Sequence, residues 1–470
     1  MKQSIKIISL IVGSAAFALQ GAEPAAKSDP LLELLIKKGI LSDSEAKQVQ
    51  AEAQNQTPAQ DASKWKINSG IKSIELFGDL RFRFEHREAQ TATSDTYARD
   101  RYRYSARIGL RGTLFDQFYY GFRLDTSQNP RSAWVSFGDE NNYPFPGPSS
   151  KASDGINIGQ VYLGWKPADF TFQVGKMANP LYTTSMVWDP DINPEGLSES
   201  YKHKIGEFEL FATAGQFLYQ DTNPDNPVPG IVGSGPDKAD AFLLAFQIGI
   251  NYQFAPRYSA KLAPTFYLYT GHGQNAGFNG TFVGEGTPAG ANIYDPTAAG
   301  FINQSGINNL KVLEFPGEFN FPVSSLQGKL FGDLALNLEG SDRARRAGFP
   351  QYDDENLAYQ IGIAVGKLGS SGQLNQKHAW EARTYWQHVE QYALDVNLLD
   401  SDFFEGRGNI EGIFAAFSYA LTDSITGTLR YGYGDRINDK LGTGGSNQDL
   451  PQLNPITKYQ LMQLDLGWKF

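Results

Sequence analysis

The chain has 470 residues, with 49 Gly, 31 Phe, 23 Tyr and no Cys, and a formal net charge of −10. The lack of cysteine excludes a disulfide framework, a thiolate metal site and a cysteine nucleophile, and the acidic balance argues against nucleic acid as a partner. The Gly- and aromatic-rich mix suits strands, tight turns and interfacial aromatic belts, and a mean hydropathy of −0.39 fits strands in which only every second residue is apolar.

Residues 1–22 read as a cleaved secretory signal. Lys2 and Lys6 flank the start of an apolar run from Ile7 to Leu19, and Ala16 and Ala18 form an A-x-A site, with Ala22 as a second option. Residues 29–54 predict a short helical hairpin. Leu31, Leu32, Leu34, Leu35 and Ile36 precede Lys37, Lys38 and a Gly39 stop, and Ser42 with Glu45 forms a capping box for a second helix. Residues 55–70, rich in Gln, Ala, Thr, Pro and Ser, read as a linker. No later stretch has the roughly 18 consecutive apolar residues of a membrane-spanning helix.

From residue 71 to 470 apolar and polar residues alternate with a two-residue period, most plainly in the terminal MQLDLGWKF. This pattern predicts an all-β fold, a transmembrane antiparallel β-barrel of about 16 strands, with 18 as an alternative. Connectors alternate between two lengths. Short turns fall near 115–117, 166–169, 206–207, 255–257, 319–325, 367–376 and 422–423, on the expected periplasmic side. Long connectors fall near 87–100, 128–155, 178–200, 219–238, 271–305, 339–355, 389–408 and 435–457. An even strand number puts both barrel ends on the periplasmic side, the side expected for the hairpin.

Parity assigns the faces. Over 74–86, Ile74, Leu76, Leu80, Phe82 and Phe84 share one face, and Glu75, Asp79, Arg81, Arg83 and Glu85 the other. The next strand puts Arg101, Arg103, Arg107 and Arg111 opposite Tyr102, Tyr104, Ala106, Ile108 and Leu110, and Arg123 follows on the third. An arginine on the lipid face at mid-bilayer costs about 2–4 kcal/mol, so these seven arginines are expected to line a water-filled lumen. Two roles stay open for them: guiding solutes, or salt bridging to Glu75, Asp79 and Asp125.

The connector 178–200 holds Asp189, Asp191, Glu195 and Glu199 among aromatic and proline residues. We expect it to fold inward as a constriction, with a solvated loop or a Ca²⁺-binding loop as alternatives. The five histidines, His86, His203, His272, His378 and His388, show no ligand spacing. No catalytic residue, metal site or cofactor is assigned, and the pairing of Ser371 with His378 falls in an expected periplasmic turn.

On the phrases VWDPDINPEGLSESY, LLELLIKKGILSDSEAKQV and LDLGWKF, the chain resembles the putative porin family of Gram-negative outer membranes. Its N-terminal element also resembles the helical segment preceding the barrel of phosphate-selective porins. The resemblance implies a 16-stranded, homotrimeric channel exported through the periplasm to the bacterial outer membrane, surrounded by its lipids, passing small hydrophilic solutes or ions by passive diffusion. Phosphate selectivity is not implied, because the 178–200 connector lacks arginine. The rivals are a closed barrel acting as adhesin or envelope tether, and an outer-membrane hydrolase.

Overall fold

The computed structural model describes residues 70–115, 117–127, 132–138, 155–221, 240–270, 307, 309–346, 349–369, 373–444 and 455–470, with Lys38 and Ser42 described singly. The chain divides into two compact units, Met1–Asn68 and Ser69–Phe470. The predicted signal, helical hairpin and linker fall outside the described residues, apart from Lys38, Ser42 and Gly70.

Among the described residues the second unit is a closed antiparallel barrel of 16 strands. In chain order they are β1 (Glu75–Thr91), β2 (Thr96–Leu114), β3 (Phe118–Thr126), β4 (Ile156–Trp165), β5 (Phe170–Lys176), β6 (Glu195–Ile205), β7 (Phe208–Gln220) and β8 (Ala241–Ala255). Two interrupted strands follow, β9 (Tyr258–Leu262 with Thr265–Thr270) and β10 (Lys311–Glu314 with Gly317–Val323). The last six are β11 (Leu326–Asn337), β12 (Leu357–Lys367), β13 (Trp380–Val389), β14 (Ile410–Ala420), β15 (Ile425–Arg436) and β16 (Ile456–Lys469). The interruptions sit side by side. Pro264 and Pro316 each lack a ladder donor, and Ala263 N–H donates to Pro316 O at 3.1 Å. A count of 18 is therefore excluded.

Closure follows from the register of the terminal strands. β1 pairs with β2 on one side and with β16 on the other, from Asp79 opposite Lys469 to Gln90 opposite Lys458. Phe470 extends the ladder by exchanging backbone bonds with Gly78 at 3.0 and 3.1 Å. Its ring lies over Gly78, where a Cβ would stand 2.8 Å from Cζ, so this rung needs glycine.

The strand faces obey the two-residue period. Leu76, Phe82, Tyr102, Ile108, Leu110, Phe122, Leu464 and Leu466 are exposed, whereas Asp79, Arg83, Glu85, Arg101, Arg103 and Asp465 are buried on the opposite face. The apolar face therefore turns outward and the charged face inward. The connectors at 87–100 and 319–325 differ from expectation. The predicted long connector 87–100 is mostly strand, because β1 and β2 continue to Thr91 and Thr96 and meet in a tight turn closed by Ser94 N–H to Thr91 O, 3.0 Å. The predicted turn 319–325 begins only after Val323, since Phe319 and Phe321 continue an outward aromatic row.

The interior packs against two connectors. Residues 177–194 link β5 to β6, and 390–409 link β13 to β14. Leu181, Met186, Val187 and Trp188 of the first join Leu394, Leu398 and Leu399 of the second and Phe217, Leu243, Tyr267 and Val312 of the walls in one apolar cluster. A second cluster sets Phe403 and Phe404 against Tyr385, Phe414, Tyr459 and Leu461. Glycine makes the room. A Cβ on Gly432 or Gly434 would stand 2.5 Å from Phe403 or 2.2 Å from Phe404.

Candidate functional site within the barrel

The first inner segment crosses from one wall to another. At one end Asp191 accepts from Arg107 Nη1 of β2 at 3.1 Å. At the other, Thr183 donates to Glu314 of β10 at 2.5 Å, Thr184 to Asp333 of β11 at 2.5 Å, and the Tyr182 hydroxyl to Glu318 of β10 at 3.0 Å. The second inner segment rests on it through Asp189 N–H to Leu398 O, 2.6 Å, and Asp400 N–H to Ser185 O, 3.2 Å. Ser401 N–H reaches Asp189 Oδ2 at 3.3 Å.

The predicted arginines share the inner face of β1 to β3, but they do not form one open ladder. Arg83 is buried, with bidentate bonds to Asp465 at 2.7 and 2.9 Å and to Asp402 at 2.6 and 3.1 Å. Arg101 donates to Glu85 at 2.5 Å, and Arg103 lies 3.8 Å from the same carboxylate, which Arg87 and Gln463 also contact. Arg81 and Arg107 flank Asp79 at 3.0 and 2.8 Å. Arg111 pairs with Glu75 and Arg123 with Asp125, both at 2.6 Å. Each of the seven therefore has a carboxylate partner, and Arg101 and Arg103 are closed off by packing.

The four predicted loop carboxylates separate. Asp189 and Asp191 lie on the inner segment. Glu195 and Glu199 lie on β6, because the strand begins five residues earlier than the connector was expected to end. Both share parity with the outward Leu197 and Tyr201. Glu195 pairs with Lys176 at 3.1 Å and Glu199 accepts from Gln216 at 2.8 Å.

Several interior residues escaped the sequence reading. Trp134 lies between β3 and β4, anchored where Val135 and Ser136 pair with Tyr104 and Arg103. Its ring covers the guanidinium groups of Arg83 at 4.1 Å and Arg81 at 4.7 Å. The sequence pattern marks 389–408 only as one of the long connectors, although Tyr392, Leu394, Leu398, Leu399, Phe403 and Phe404 make it too apolar for a solvated loop. That excess was the available signal.

A cavity of about 420 Å³ remains between the inner segments and the walls. Arg81, Arg83, Lys329, Arg383 and Arg430 border it, as do Asp189, Asp191, Glu318, Glu381, Asp400 and Asp402. Arg383, exposed on the inner face of β13, has no salt bridge among the described residues. Burial pushes the Asp400 carboxyl up to about 7, helped by the charges of Asp402 and Asp191. Burial also raises Asp189, with Asp400 as the next cause. Asp402 goes the other way: burial opposes its ionisation, but Arg83 outweighs burial and holds it below the usual carboxylate range.

Each of the four described histidines is held by a side-chain hydrogen bond. His86 meets Asp100 at 2.8 Å, His203 meets Asp169 at 2.6 Å, His378 meets the Tyr419 hydroxyl at 2.6 Å and His388 meets Glu411 at 2.8 Å. Ser371 and His272 lie outside the described residues.

The model of the family described as putative porin matches residues 83–277 and 318–470. The chain belongs to this family. Membership points to the bacterial outer membrane. A comparison with the curated proteins finds no match. Among solved structures, the chain is similar to OmpT, an outer membrane protein of Vibrio cholerae, folded in vitro, at 11% identity. That match covers 86% of this chain and 100% of that one, with a TM-score of 0.41. It is also similar to a mutant of the Rh. blastica porin at 11% identity, covering 85% of this chain and 100% of that one, with a TM-score of 0.38.

Proposed function

We propose that this chain is an outer-membrane channel for passive diffusion of small hydrophilic solutes or ions. The observation that carries the proposal is the charged cavity of about 420 Å³ at the inner segments, inside a 16-strand barrel of a size that leaves an aqueous lumen. The outward apolar face supports contact with lipid, since a soluble protein rarely exposes so large an apolar surface. Export relies on the N-terminal signal. Residues 177–194 and 390–409 together act as the constriction, where Asp191 and Asp402 neutralise Arg107 and Arg83 and leave Arg383 to bias passage. Of the basic wall, Arg81, Arg83 and Arg107 hold these segments in place, whereas Arg101, Arg103, Arg111 and Arg123 pair with carboxylates of the strands themselves. The chemistry needs no catalytic group.

A homotrimer is supported by the β5–β6 wall. β5 has only 7 residues, fewer than the 9–11 of a strand that spans the bilayer alone, and the outward Glu199 beside it suits a protein partner better than lipid. The packed apolar clusters at the inner segments favour one second reading, a closed barrel acting as adhesin or tether. Conductance of the refolded chain in a planar bilayer separates the two. Stable steps with a measurable reversal potential support the channel, and a correctly folded barrel that never conducts refutes it.

A further inference from the structure

The buried carboxylates of the strands are neutralised by arginine in four cases: Asp79, Glu85, Asp125 and Asp465. Glu314 and Asp333 break that pattern. Glu314 is fully buried and Asp333 nearly so, their carboxyls lie within hydrogen-bonding reach of each other, and no salt bridge to either exists among the described residues. Both sit at the wall end of the first inner segment. Glu314 already accepts from Thr183 and from the Tyr267 hydroxyl at 2.6 Å, and Asp333 Oδ2 accepts from Thr184.

The remaining oxygens have no donor. Asp333 Oδ1 is buried without a hydrogen bond, and so is Oε1 of Gln360, a side chain only 5% exposed. Gln360 is the cross-strand partner of Asp333 in the β11–β12 register, so both side chains project from the same face of neighbouring strands. Gln360 also borders the 420 Å³ cavity, which opens a route from the lumen. Two carboxylates and an amide oxygen, with no nitrogen or sulfur ligand, form a hard donor set.

We propose that Glu314, Asp333 and Gln360 bind a hard divalent cation of the Ca²⁺ type, which fastens the first inner segment to the wall through Thr183 and Thr184. The cation balances two adjacent buried charges that would otherwise repel each other, and water from the cavity completes its shell. Occupancy thereby holds the aperture at its narrow setting.

Terbium(III) titration of the refolded full chain in detergent tests this, because Tyr267 lies beside the site and can sensitise Tb³⁺ emission. Saturable emission displaced by Ca²⁺ is expected, weakened at least about tenfold in Glu314→Gln and in Asp333→Asn. Gln360→Leu, which leaves both carboxylates in place, should also weaken it and serves as the variant least able to disturb folding. Absence of saturable emission from the folded wild-type chain overturns the proposal and leaves a proton shared by the carboxyls. Emission unchanged in Gln360→Leu and in the folded carboxylate variants also overturns it, by placing the ion elsewhere. Ion binding is read without conductance, so its failure is distinct from failure of the channel reading.

Discussion

Replacing Arg383 by Ala should raise the cation-to-anion permeability ratio about three- to fourfold. A sphere of the cavity volume, about 420 Å³, has a radius near 5 Å, which puts a permeating ion roughly 6 Å from the guanidinium. At that distance in water a unit charge contributes about 0.7 kcal/mol, reduced to about 0.4 kcal/mol by screening at 0.1 M salt. Loss of the positive charge therefore enriches cations and depletes anions by about twofold each, and the two factors multiply in the ratio. Arg103→Ala is the contrast. Its guanidinium is buried beside Glu85 and Trp134 and does not border the cavity, so it should lower stability while moving selectivity by a smaller factor. The assay is the reversal potential across a planar bilayer under a salt gradient, repeated at 1 M salt, where the effect should shrink. An unchanged ratio in Arg383→Ala, or a larger change in Arg103→Ala, would refute the assignment of accessible and sequestered charge.

Three further outcomes are expected. Asp400, held protonated up to about 7, binds its proton more tightly folded than unfolded. The stability it lends is full below about pH 4 and is lost as the pH rises through about 7. Hydrogen-exchange protection at residues 398–402, taken relative to the intrinsic base-catalysed rate at each pH, should fall over that window in the wild type and stay level in Asp400→Asn. Gly434→Val would drive a side chain into the Phe404 ring, at a cost of about 1–3 kcal/mol. It should displace the second inner segment, so that single-channel conductance rises; conductance equal to wild type would argue against that segment as an obstruction. Glu199→Arg should shift the species in light scattering from trimer to monomer without loss of barrel circular dichroism, and an unchanged mass would exclude the β5–β6 wall as the interface.

The barrel was legible because a strand's face depends on parity alone. Leu464 and Leu466 had to oppose Gln463 and Asp465 whatever the strand's neighbours, and the alternation of short and long connectors then yielded the strand number. The arginines of β1 to β3 were placed on the inner face by the same logic. Periodicity carries no information about partners, however. Asp465 and Asp402 lie hundreds of residues from Arg83 in the chain, and only closure of β1 against β16 and the inward path of residues 390–409 bring them together. The faces of Glu195 and Glu199 turned on where β6 begins, which pairing with β5 decided. Trp134 over Arg83, and the Glu314, Asp333 and Gln360 group, depend on contacts between distant segments. Local alternation thus determined the wall, whereas long-range packing inside a closed ring of strands decided the contents of the lumen.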